Sequence, residues 1–298
     1  MDCSAARFSA QQSLVSFSLL KNKTQKLSII IFTDLDGTLL DHHTYSFDAA
    51  HEALGKIETA HIPLIFCSSK TRAEIEVWRK KIPNQDPFIS ENGGAVFFPL
   101  DWKFSATANC LKKNGYQVIK LGKPYPELIV QFKHLKNSFG EKIKGFSEMD
   151  LAQIASLTGL SKQDAKSAKM REYTEPFLFT GNKKELELLK KMVAGLNLNL
   201  TRGGRFFHLM GENDKGKGKA VILIAEMYKK ILPETKTVAL GDSYNDLPML
   251  KMVDLPILVQ KPGGIYDENL KKISNLRRAP GVGPEGWNQA LSELLKKT

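Results

Sequence analysis

The segment IIIFTDLDGTLLD, Ile29–Asp41, sets an aliphatic run directly before two aspartates, Asp34 and Asp36. A continuous apolar run of this length reads as a strand buried on both faces, the pattern of a parallel sheet. Two carboxylates at the mouth of such a strand repel each other and lose hydration, so the arrangement implies a cation bound there. Side chains alternate in an extended chain, which places Asp34 and Asp36 on one side and Leu35 on the other. Gly37 then permits a sharp backbone turn that exposes N–H groups.

The same rhythm continues on both sides of this segment. FDAAHEALGKIETA reads as a helix, IPLIFC as a second buried strand, TRAEIEVWRKKI as a helix, and PFISENGGAVFFP as two short strands around a glycine turn. After Lys217 come the helix KAVILIAEMYKKI, the strand TVALGD, the helix DLPMLKMV, the strand LPILVQ and a closing helix in GPEGWNQALSELLKK. This alternation predicts an α/β, Rossmann-like core with a parallel sheet and helices on both faces.

The middle of the chain differs. YQVIKLG reads as a strand, PELIVQFKHLKNSF as a helix, and DLAQIASLTGLSKQDAKSAKM as two short helices hinged at Gly159. PFLF, KELELLKKMVAGL and the strands in LNLTRGG and RFFHLM complete an α+β insert of about a hundred residues, a usual domain size. The expected organisation is an N-terminal extension over residues 1–26, a core from 27–100 and 205–298, and a cap over 101–204. Gly122 and the pair Gly203–Gly204 are candidate hinges, or simple turn glycines.

Composition narrows the class. The net charge of +11 comes mostly from lysine pairs such as Lys183–Lys184 and Lys229–Lys230, which read as solvated helix faces. No nucleic-acid motif accompanies them, so no nucleic-acid partner is expected. No apolar run is long enough to cross a bilayer, so no membrane partner is expected. Cys3, Cys67 and Cys110 are too few and scattered for a disulfide framework, which favours a reducing, cytoplasmic setting. Residues 1–26 are rich in Ser and Gln and end basic. They fit a transit peptide poor in arginine, a ragged extension or a packed helix equally.

Ligands in open α/β sheets bind beyond the carboxyl ends of the strands, and four polar clusters sit there. They are Asp34–Thr38, Ser68-Ser69-Lys70, the loop leading to Lys217, and Gly241–Asp246. Oxygen donors without His or Cys suit Mg²⁺ shared with a phosphate. Asp34 and Asp242 would each supply a carboxylate oxygen, and Asp36 would contribute nearby while handling a proton. Ser68 and Lys217 would hold the remaining phosphoryl oxygens. Each cluster alone also reads as a turn or helix cap, with Asp246 starting the helix LPMLKMV. In this order, at strand ends, coincidence is a poor account of them.

DLDGT, SSK, KGKA and GDSYND together resemble the four motifs of the haloacid dehalogenase superfamily of phosphatases, and the insert resembles its C2-type cap in the IIB branch. FCSSKTRAEI, ENGGAVFFP, GLSKQDAKSAKMREYTEPF, GRFFHLMGENDKGKGKAV and GDSYNDLPML are similar to the mannosyl-3-phosphoglycerate phosphatase family over most of 28–298. The resemblance implies Asp34 as nucleophile, Asp36 as general acid and base, Mg²⁺ on Asp34, Asp36 and Asp242, and phosphate on Ser68 and Lys217. It implies substrate contacts from Asn92 and from Arg171, Glu172 and Glu175 of REYTEP, with Asn245 and Asp246 supporting the ligands from behind. Physically, Arg171 can grip a carboxylate and the glutamates can accept from sugar hydroxyls; an internal Arg–Glu network stiffening the cap is an equal reading. Thr174 stands where the family more usually has serine, and KGKAV favours Lys217 over Lys215 as the motif lysine. His208 reads more readily as a structural histidine than as a substrate contact. The implied substrate is a small phosphorylated sugar–glycerate. Another sugar phosphate, or an idle phospholigand-binding domain, are the alternatives.

Overall fold

The computed structural model describes residues 29–102, 110–211 and 216–296. The extension 1–26 and Lys215 lie outside the described residues. Thirteen strands among the described residues form two sheets: β1 (Ile29–Thr33), β2 (Leu64–Cys67), β3 (Phe88–Ser90), β4 (Ala95–Pro99), β5 (Leu111–Lys113), β6 (Tyr116–Lys120), β7 (Ile143–Gly145), β8 (Thr174–Phe179), β9 (Leu198–Gly203), β10 (Phe206–Gly211), β11 (Lys236–Gly241), β12 (Leu255–Gln260) and β13 (Arg277–Val282). The larger runs β13-β12-β11-β1-β2-β3-β4-β6-β5, and the smaller β7-β8-β10-β9.

β1 is central, paired parallel to β11 on one side and β2 on the other. Every β1 residue is buried, with Ile29 and Ile31 in one apolar layer and Ile30 and Phe32 in the other. Burying each such side chain stabilises the fold by roughly 1.5–3 kcal/mol, which pins β1 in register. Helices Arg72–Lys81 and Pro284–Leu295 lie on one face and Lys217–Lys229 on the other, so β1, β2 and β11 end at one rim. Thr71 caps Arg72–Lys81 in a capping box with Glu74, directly after the SSK cluster. No helix among the described residues is long and apolar enough to cross a membrane.

Three expectations shift. β5 and β6 extend the core sheet, because β6 pairs antiparallel with β4 from Ala95↔Lys120 to Pro99↔Tyr116. β10 belongs to the cap sheet, paired with β8 and β9. The cap therefore begins after Lys120 rather than at 101 and includes residues up to Gly211 rather than ending at 204. Gly204, with φ +56°, turns the β9–β10 hairpin inside the cap, and Gly122 packs against Gly94 and Tyr173 rather than standing free as a hinge. β13, unexpected from RRAPGV, is an edge strand; an edge accepts the charges and proline that argue against a central one.

The cap has its own core, in which Phe132, Phe177 and Phe207 pack between its helices and the sheet. Phe206 meets Phe146 edge-on, and Phe97 stacks on Phe88 at 4.9 Å. The paired phenylalanines are thus packing residues.

Candidate active site

The ends of β1, β2 and β11 and the start of helix Lys217–Lys229 bring the four polar clusters together. Lys217 is fully buried, and its Nζ donates to Asp34 Oδ1 at 2.6 Å and to Asp246 Oδ1 at 2.6 Å. Asp34, Asp242 and Asp246 each offer a carboxylate oxygen within 4.8 Å of the others. Two glycines permit this approach. A side chain on Gly37, at φ +77°, would come within 3.1 Å of Asp242 Oδ2, and one on Gly241 within 2.6 Å of Asp246 Cβ. The other Asp246 oxygen, Oδ2, accepts the Asp242 and Ser243 N–H groups, so the turn after β11 is fastened to its own acid.

Burial pushes the Asp34 carboxyl well up, with Asp246 adding to the shift and Lys217 opposing it. Burial, followed by Asp246, raises Asp242 to about 7. Burial alone would lower the Lys217 ammonium, but Asp246 and Asp34 more than offset it. Three buried carboxylates against one ammonium leave a site short of positive charge. Its all-oxygen donor set fits a hard divalent cation.

Asp36 does not join this cluster. Its carboxylate meets Lys70 Nζ at 2.8 Å, and it is Asp246 that lies with Asp34 and Asp242. The strand alternation behind the expectation ends at Thr33. Residues 35–40 form a tight turn, with Gly37 N–H to Leu40 O and Leu40 N–H to Leu35 O, which redirects Asp36. Lys70 itself is almost buried, and its ammonium lies 5.1 Å from the centre of the Tyr45 ring. Asp36 and Glu74 hold its pKa above the ordinary value despite burial.

Ser68 is fully buried at the end of β2, its N–H bonded to Ile89 O and its Oγ accepting from Lys70 N–H. Asn92, with φ +57°, follows β3 and keeps both side-chain polar atoms buried without a partner among the described residues. Ser243 Oγ donates to Asn245 Oδ1 at 2.7 Å and lies 3.0 Å from Asp242 Oδ1. Trp287, not singled out from sequence, is fully buried and donates through Nε1 to Thr33 Oγ1 at 3.0 Å; that hydroxyl donates to Asp34 O. The tail helix thereby braces the backbone of Asp34.

The REYTEP side chains make contacts within the protein. Arg171 donates from Nε to Ala168 O and from Nη1 to Ser69 O, and its side chain is 6% exposed. Glu172 pairs with Arg72 and Lys113, and Glu175 accepts from Ser147 and the Tyr125 hydroxyl. The buried Glu91 carboxylate accepts the N–H groups of Glu172, Tyr173 and Thr174 and the Thr174 hydroxyl. These contacts form a strut from core to cap, the internal network that was one of the two readings of this stretch. The Thr174 hydroxyl is used within it.

A cavity of ≈ 270 Å³ lies between the cap sheet and this rim, with Asn92, Lys217, Tyr244 and Asn245 on the core side and Asn199, Thr201 and Met210 on the cap side. A family profile described as haloacid dehalogenase-like hydrolase matches residues 31–275. A glucosyl-3-phosphoglycerate/mannosyl-3-phosphoglycerate phosphatase of Methanococcoides burtonii is 46% identical over 269 residues, 90% of this chain and 97% of that protein. A mannosyl-3-phosphoglycerate phosphatase of Pyrococcus furiosus is 34% identical over 249 residues, covering 83% and 96%. Among solved structures, the subclass IIB sugar phosphatase BT4131 of the same superfamily aligns with a TM-score of 0.62 at 16% identity, over 90% of this chain and 98% of that one. The phosphatase BT1666 from Bacteroides thetaiotaomicron aligns at 0.63 with 18% identity, over 93% and 96%. These two share the fold.

Proposed function

Since the chain belongs to the haloacid dehalogenase-like hydrolase family, we propose that it hydrolyses a phosphomonoester with Mg²⁺ through an aspartyl-phosphate, and that its substrate is mannosyl- or glucosyl-3-phosphoglycerate. The observation that carries the chemistry is the buried lysine held at 2.6 Å by both Asp34 and Asp246, with Asp242 beside them. The substrate follows from relatives named for it that match nine-tenths or more of their own length.

Asp34 attacks phosphorus through a carboxylate oxygen, and the bond from phosphorus to the organic oxygen breaks. Asp36 gives that oxygen its proton, then takes one from the water that attacks the phosphoryl group and frees Asp34. Lys217 and the Ser68 hydroxyl hold phosphoryl oxygens where negative charge develops. Bound Mg²⁺, held by Asp34, Asp242 and Asp246, would supply charge neutralisation to carboxylates and phosphate alike. Lys70 keeps Asp36 apart from those three acids, so proton transfer and metal binding fall to different carboxylates. Asn92 reaches the organic part of the substrate from the core side. The REYTEP strut ties the cap to the core at Ser69.

Steady-state rates on a panel of phosphoesters test this reading. Glycosyl-3-phosphoglycerates are expected to exceed hexose 6-phosphates in kcat/KM by about 100-fold, the scale of discrimination one or two well-placed polar contacts give. A preference for simple hexose phosphates would overturn the substrate assignment.

The metal site has a stability signature. Asp242 holds its proton up to about pH 7 in the folded chain, whereas an unfolded aspartate releases it near pH 4. The folded state therefore binds the extra proton, and the metal-free protein loses stability as pH rises from about 4 to 7. Mg²⁺ displaces that proton, so the rise in Tm on adding Mg²⁺ is expected to be larger at pH 8 than at pH 5.5. Melting curves of chelator-treated protein with and without Mg²⁺ measure it, and an equal rise at both pH values would contradict it.

A further inference from the structure

The cavity over Lys217 is built from a recognisable unit of the cap. β9 and β10 run antiparallel, with Thr201 opposite His208 and Asn199 opposite Met210. Residues opposite each other, and residues two apart along a strand, share one face of a sheet. The four side chains thus form a quartet on one face, and Asn199, Thr201 and Met210 line the cavity. His208 is the fourth corner.

Its state is unusual for a packing residue. His208 is 6% exposed, yet Nδ1 is buried with no hydrogen-bond partner among the described residues. Leaving a buried polar atom unpaired is costly, and native folds keep few such atoms. Across the cavity, Asn92 carries the same signature on both side-chain polar atoms. An unsatisfied group on the core side of the cavity, and another on the cap face whose Asn199, Thr201 and Met210 line it above Lys217, fit a partner that arrives with the substrate.

Resting on the phosphatase reading above, we propose that His208 is the cap's specificity residue, hydrogen-bonding through Nδ1 to a hydroxyl of the leaving group while its phosphate lies on Lys217. The chemistry of the partner follows from that of the pocket. Burial, with Arg171 and Lys217 as the charges nearest in effect, lowers the imidazole pKa to about 3, so the ring is neutral at every working pH. A neutral imidazole offers one N–H donor and one acceptor nitrogen and does not attract an anion; amides and a hydroxyl from Asn92, Asn199, Thr201 and Asn245 line the cavity beside it. Such a lining suits a polyhydroxylated group.

His208→Leu and His208→Asn, the latter presenting an amide near the position of Nδ1, test this against two substrates. One is glucosyl-3-phosphoglycerate; the other is p-nitrophenyl phosphate, whose leaving group bears no hydroxyl beyond the ester oxygen. His208→Leu is expected to lose about 10- to 100-fold in kcat/KM on the sugar ester and to stay within about twofold on p-nitrophenyl phosphate, with His208→Asn regaining part of the loss. An equal fall on both substrates makes His208 structural, and no fall on either removes it from recognition. Should His208→Leu fail to fold, His208→Val, smaller and suited to a strand, repeats the comparison. Wild-type turnover of the sugar ester judges the substrate reading separately. If another sugar phosphate is preferred, the same comparison on that ester still decides the role of His208.

Discussion

Asp34→Asn is expected to lower phosphoester turnover by more than about 10⁴-fold while leaving the protein folded. The loss is large because an amide oxygen is not a competent nucleophile, and removal of a nucleophile elsewhere costs on this scale. The fold survives because asparagine matches aspartate in shape, and because the carboxylate is itself a burden. Burial and the acids Asp246, Asp242 and Asp36 all push the Asp34 pKa up, with only Lys217 opposing them. Removing that charge from the metal-free protein leaves Lys217 its bond to Asp246 and is expected to keep Tm equal or raise it, the usual trade of activity against stability. Turnover within tenfold of wild type would end the covalent mechanism.

Lys217→Met carries the second large effect, on stability as well as rate. The ammonium is fully buried between Asp34 and Asp246, and methionine fills similar volume without charge. Breaking a buried pair by removing one partner leaves uncompensated charge and costs about 3–5 kcal/mol. Here two carboxylates lose their counter-charge at once. Urea unfolding without metal is expected to show the unfolding free energy falling by that amount, as a lower midpoint at unchanged slope, and Mg²⁺ to recover part of it by taking over the neutralisation. Turnover is expected to fall by about 10²–10³-fold even with Mg²⁺, the cost of losing one preorganised charge at the phosphoryl oxygens. An unchanged midpoint would mean that the native state does not depend on Lys217 to hold Asp34 and Asp246.

Much of this site was legible because its parts are local. DLDGT, SSK and GDSYND each follow an apolar run, and a parallel strand needs such a run wherever its end lands, so the polar clusters announce a common rim. The pattern was weaker where a contact depends on distant chain. The bond from Trp287 to Thr33 joins residues 254 positions apart, and nothing in GPEGW marks its partner. β10 reads as well in a core strand as in a cap strand, since either sheet accepts RFFHLM; pairing with β8 and β9 decided it. REYTEP offered two guanidinium partners of equal merit, a ligand or the protein, and only the folded chain brings the Ser69 and Ala168 carbonyls to Arg171.

The sequence by itself determined the layered α/β core, the interrupting α+β insert and the presence of acids, a hydroxyl and a lysine at the strand ends, because period and composition act over a few residues. Only the tertiary structure decided which acids meet. Side-chain direction follows from the alternation of an extended chain as far as Thr33, and the turn at Gly37 then sends Asp36 to Lys70 while the 3-10 turn at Tyr244–Asp246 brings Asp246 to Lys217. Once the backbone leaves a regular element, the three-dimensional packing of neighbours sets where a carboxylate points.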